Sequence, residues 1–148
     1  MKKVCKRFAC IIFMIMLFIT GCGKTTISYT FKVETGDNII VSLVSNDGYS
    51  LSSDIPFVIS KGKKELSQGT FIWADYYDAY VDSVSSDEKA KIIDEGEKDN
   101  YSYVMWNYDD SEFNYVIKIN GTNTGILLSN NISEESAKEC FERLEIKE

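Results

Sequence analysis

The chain has 148 residues, with 16 basic and 23 acidic side chains, four cysteines and no histidine. A net charge of −7 opposes the phosphate backbone of nucleic acid, and the missing imidazole removes the commonest general base and the commonest zinc ligand. Most histidine-dependent hydrolase triads and zinc sites are thereby excluded, and no cofactor or metal is expected.

Residues 1–21 read as a leader. Lys2, Lys3, Lys6 and Arg7 form a basic head, and an apolar run extends from Ala9 through Ile19. That run fits the ~7–15 residues of a signal-peptide core and falls short of the ~20 that a membrane span requires. It closes with Ile19-Thr20-Gly21-Cys22, in which two small residues precede a thiol. This segment resembles the lipobox of bacterial lipoprotein signal peptides. The resemblance implies a diacylglyceryl group on the thiol of Cys22, cleavage between Gly21 and Cys22, and residence on the extracytoplasmic face of the cell membrane. At ~0.8 kcal/mol per buried methylene, two acyl chains hold a protein on a bilayer where one does not. Gly23-Lys24-Thr25 imitates the end of a P-loop, but Phe18 stands where that motif needs its first glycine.

Beyond the leader, residues 22–25 form a short lipidated tether and residues 26–148 a single domain. Residues 22–148 together hold all 23 acidic residues against 12 basic ones, a net charge of −11. A globule this acidic is expected to repel nucleic acid and to gain nothing from anionic lipid. Cys5 and Cys10 leave with the leader and Cys22 takes the lipid. Cys140 then stands alone, so the domain is held by packing without an intrachain disulfide.

In chain order, Thr26 to Val33 alternates strictly, placing Ile27, Tyr29, Phe31 and Val33 on one face of a half-buried strand. Gly36-Asp37-Asn38 turns into a second strand, Ile39 to Val44, and Asn46-Asp47-Gly48 turns again. Ser50 to Asp54 reads as irregular, Pro56 to Ile59 as a strand, and Gly62 as the turn of a hairpin. Gly69 to Trp73 is extended. Tyr76, Tyr77, Tyr80, Val81 and Val84 fit helical spacing over Asp75 to Val84. Strands follow at Lys91–Glu95, Tyr101–Tyr108, Phe113–Ile119 and Gly125–Ser129. Ser133 is suited to cap a final helix with Glu134 and Glu135 against its dipole. Ala137, Cys140, Phe141 and Leu144 form its apolar stripe.

The expected fold is α+β: an antiparallel sheet of six to eight strands, a short middle helix, and a C-terminal amphipathic helix packed on the sheet. Gly48-Tyr49-Ser50-Leu51, Phe57-Val58-Ile59 and Gly125-Ile126-Leu127-Leu128 running into Ser133-Glu134-Glu135 resemble small bacterial lipoproteins with the PsbP-like sandwich fold. That resemblance implies no catalytic residues and a role in binding or assisting larger assemblies.

Three features are candidates for chemistry. Cys140 lies on the apolar stripe beside Glu139, which suits a buried thiol better than a reactive one. Asp75, Asp78 and Asp82 share a helical face, as oxygen ligands for calcium would, although no calcium-loop spacing accompanies them. Trp73, Tyr76, Tyr77, Tyr80 and Trp106 form a candidate binding patch, since aromatic rings with polar tips suit interfaces and sugars. The alternative for these rings is packing beneath the middle helix.

The leading expectation is a lipid-anchored module that binds an envelope protein or wall glycan, with no nucleic-acid partner and no catalysis. The alternatives are a small envelope hydrolase using paired carboxylates, or an accessory subunit of a transporter or sensor.

Overall fold

The structure, a computed structural model, describes residues 23–148. The lipobox residues Ile19, Thr20, Gly21 and Cys22 and the expected cleavage position lie outside the described residues. Ten strands and two α-helices follow, and every strand pairing is antiparallel.

Strand β1 (Thr26–Lys32) pairs with β2 (Asn38–Val44), and the turn between them contains Gly36 at φ +95°. The chain then forms β3 (Tyr49–Leu51), β4 (Phe57–Lys61) and β5 (Lys64–Trp73). Helix α1 (Tyr76–Ser86) follows, and then β6 (Ala90–Lys98), β7 (Tyr101–Tyr108), β8 (Glu112–Ile119) and β9 (Thr124–Asn130). Helix α2 (Glu134–Glu142) and β10 (Leu144–Lys147) complete the chain.

The strands divide into two sheets, ordered β1-β2-β10 and β3-β4-β5-β9-β8-β7-β6. The α+β class and the antiparallel pairing therefore stand. The main sheet has seven strands, within the expected six to eight, and β1, β2 and β10 form a second sheet beside it, in which β10 pairs with β2 on the side away from β1. Leu144 is the residue that changes place. It opens β10 opposite Leu43 and does not extend the stripe of α2. Arg143 enforces the break: its carbonyl accepts from the Val44 amide at 2.9 Å, and its guanidinium donates to the Val44 and Asn46 carbonyls. Two corrections are smaller. Ser50 and Leu51 belong to a strand while Ser52 to Asp54 stay irregular, and β6 runs on to Lys98 past a bulge near Ile93.

Alternation in β2 sends Ile39, Val41 and Leu43 inward, and all three are fully buried. They meet Phe57, Ile59, Tyr115, Ile117, Ile126 and Leu128 of the main sheet, with Ala137, Cys140 and Phe141 of α2 closing the same core. A second, smaller cluster lies on the opposite face of the main sheet. There Val84, Val104, Trp106 and Val116 are buried, with Tyr77, Tyr80 and Val81 packed against them. No helix among the described residues is long and apolar enough to cross a membrane.

Candidate functional site

The five aromatic residues of the candidate patch do not share one surface. Trp106 is only 6% exposed, and the Tyr80 ring lies over it at 6.2 Å between centroids. This corrects its place in the patch. The Val104 and Trp106 side of β7 is covered by Tyr77, Tyr80, Val81 and Val84 of α1, so the indole belongs to the core. Tyr77 is half-buried, with the Lys118 ammonium 5.9 Å from its ring centre, and burial raises its hydroxyl pKa.

Trp73 and Tyr76 behave differently. They are 47% and 54% exposed, and both line an open groove of about 540 Å³ at the end of β5. Alternation along β5 puts Phe71 toward the space between the sheets, while the strand's last residue, Trp73, overhangs the rim. Ile55, the third large apolar group of the groove, is 55% exposed. Val33 and Phe71 form the floor. Phe71 in turn packs on Phe31 and Phe57, with centroid distances of 5.2 and 5.7 Å, and those two rings lie 5.8 Å from each other. Tilted aromatic contacts at these separations make a stiff support. Lys32, Glu34, Thr35 and Thr70 supply a polar margin.

The β1–β2 turn that contributes Thr35 is pinned by one carboxylate. Asp37 Oδ2 accepts from the Thr124 hydroxyl at 2.7 Å, the Asn123 amide at 2.9 Å and the Thr35 hydroxyl at 3.3 Å. The hydroxyls of Thr35 and Thr124 also contact one another. These bonds tie the small sheet to the start of β9, so one wall of the groove is held without help from a ligand.

The remaining candidates fall elsewhere. Asp75, Asp78 and Asp82 are exposed, and among the described residues no group of three or more thiol or carboxylate side chains converges as a metal site would. Cys140 is fully buried under α2, and burial pushes its thiol pKa up. The groove lining holds one carboxylate, Glu34, whereas paired-carboxylate glycan hydrolysis needs two about 5–10 Å apart.

Sequence reasoning missed Ile55, Val33 and the Asp37 pin as parts of the site. Ile55 carried one usable signal, an aliphatic residue beside the only proline at the end of the polar run Ser52-Ser53-Asp54. No protein-family model and no curated protein matches this chain.

Proposed function

We propose that this protein is a lipid-anchored binding module of the bacterial envelope. It is held through Cys22 on the extracytoplasmic face of the cell membrane and presents the groove of Ile55, Trp73 and Tyr76 to an envelope protein or a wall glycan. The observation that carries this reading is the direction of β1. The chain enters the domain at Gly23 and β1 begins at Thr26, whereas the groove is lined by Lys32 and the residues that follow it. The rise along the strand separates the two ends by about 20 Å. A groove so placed faces away from the anchored end, toward whatever lies above the membrane.

In the same reading the middle and C-terminal helices are amphipathic layers, each closing one face of the main sheet. Recognition then falls to the groove and not to a broad sheet face. The likeness to PsbP-like lipoproteins belongs to this account as well: a membrane-held sandwich that binds and does not catalyse.

The test is affinity capture with the full chain solubilised from its own envelope. Trp73→Ala/Tyr76→Ala is expected to lose the captured partner, while Ile92→Ala, which trims an exposed residue of β6, retains it. Undiminished capture by the double variant contradicts the groove as the binding site.

A further inference from the structure

We infer that the β4–β5 hairpin is a membrane-contacting surface that rests on anionic lipid head groups around the anchor, an inference that depends on lipidation at Cys22. The route from tether to hairpin is short and hydrogen-bonded throughout. The Thr25 amide donates to Asn46 Oδ1 at 2.9 Å, and the Ser45 amide donates to the Thr25 carbonyl at 2.8 Å. Two residues beyond Asn46, the Gly48 carbonyl accepts from the Gly62 amide at 3.0 Å. Gly62 takes φ +61° at the first position of the two-residue turn, a conformation suited to glycine. The hairpin tip is thus fixed beside the point where the chain leaves for the bilayer.

The tip is cationic. Lys61, Lys63 and Lys64 are exposed around Gly62, and Lys24 lies on the tether itself. Among the described residues none of these four lysines makes an ion pair within 4.0 Å. Of the acids nearby, Asp47 and Glu139 are engaged by Arg143, at 2.9 and 3.4 Å, Glu65 follows Lys64 on β5, and Glu142 and Glu145 lie at the junction of α2 and β10. Lys61 Nζ rests 4.9 Å from the Tyr49 ring centre. The net charge of −11 over residues 22–148 is therefore unevenly spread, with a local cluster of positive charge at the hairpin tip beside the tether. Whole-chain charge predicts no gain from anionic lipid. Head-group attraction, however, decays within about 8–10 Å, so the membrane reads only the nearest charges. A lipid on Cys22 brings these lysines into that range, and the hairpin then sets which way the groove points.

The experiment uses the full chain purified from membranes, with the acyl mass on Cys22 verified, in vesicles of phosphatidylcholine alone or mixed with phosphatidylglycerol. Brief amine acylation read by mass spectrometry reports each lysine. In the mixed vesicles Lys61, Lys63 and Lys64 are expected to label about fivefold more slowly than in phosphatidylcholine. The protection should vanish in high salt, while Lys32, at the far end of β1, labels equally in both. Lys63→Glu/Lys64→Glu should abolish the protection of Lys61. Acylated, vesicle-bound protein whose hairpin lysines label equally in both lipids overturns the inference while leaving the anchor intact. Protein without acyl mass overturns both readings. Protection by a soluble polyanion but not by anionic vesicles assigns the hairpin to a wall polymer and overturns the bilayer assignment.

Discussion

Asp37 and Thr124 meet at 2.7 Å across 87 residues of sequence, carboxylate to hydroxyl, and their contact ties the small sheet to the main one beside the groove. A charged acceptor serving three donors in a half-buried site is worth more than a neutral hydrogen bond. Asp37→Ala is expected to cost about 2–3 kcal/mol in denaturant unfolding. Asp37→Asn, which keeps the shape and one acceptor, should cost less. Equal stability of Asp37→Ala and the parent would mean that the pin carries no weight.

The two tryptophans should separate cleanly. Trp106 is packed under α1, so Trp106→Ala removes a buried ring and should cost about 3–5 kcal/mol. Trp73 overhangs an open rim, and Trp73→Ala should change stability by no more than about 0.5 kcal/mol. Chemical denaturation of both variants checks the pair. A large loss for Trp73→Ala would show it to be structural.

Gly69 is required by its cross-strand partner. Phe57 lies opposite it, and a Cβ on Gly69 would come within 2.1 Å of the Phe57 ring. That ring is fully buried and supports the groove floor, so it has no free direction in which to yield. Gly69→Ala is expected to cost about 1–3 kcal/mol by overpacking. Thermal unfolding of the variant measures it, and an unchanged midpoint would refute the close approach.

Burial also sets a response to alkali. The Tyr49 and Tyr101 hydroxyls are pushed up to about 12, chiefly by burial, and Tyr115 is raised by the same cause. Below pH 10 both folded and unfolded chains keep these protons, and stability is unaffected. Between pH 10 and 12 the unfolded chain releases them while the folded one holds them, so stability falls as pH rises. Ultraviolet titration should show these tyrosinates appearing together with unfolding. Cys140 should follow the same pattern, remaining inert to a thiol reagent until the chain unfolds. Immediate reaction in the native state would contradict its burial.

The antiparallel α+β class was legible because alternation over Phe113 to Ile119 and the turn residues around it act locally. The division into two sheets was not. β10 pairs with β2 about 100 residues away, and nothing near Leu144 announces that pairing. The spacing from Ala137 to Leu144 continues a helical period, and long-range pairing overrode it. Trp106 was ambiguous for a different reason: a strand covered on both faces carries large residues at every position, as does a strand awaiting a partner. The groove was hidden altogether, since Thr35, Ile55 and Trp73 come from three separate stretches of chain that only the fold brings together.

The proposed attachment of lipid to Cys22 underlies both the proposed function and the proposed orientation of the domain. Mass spectrometry of the N-terminal peptide from natively produced protein tests it most directly. The expected peptide begins at Cys22 and carries the mass of at least two acyl chains. A peptide that begins at Met1, or one that begins at Cys22 with no acyl mass, would contradict it.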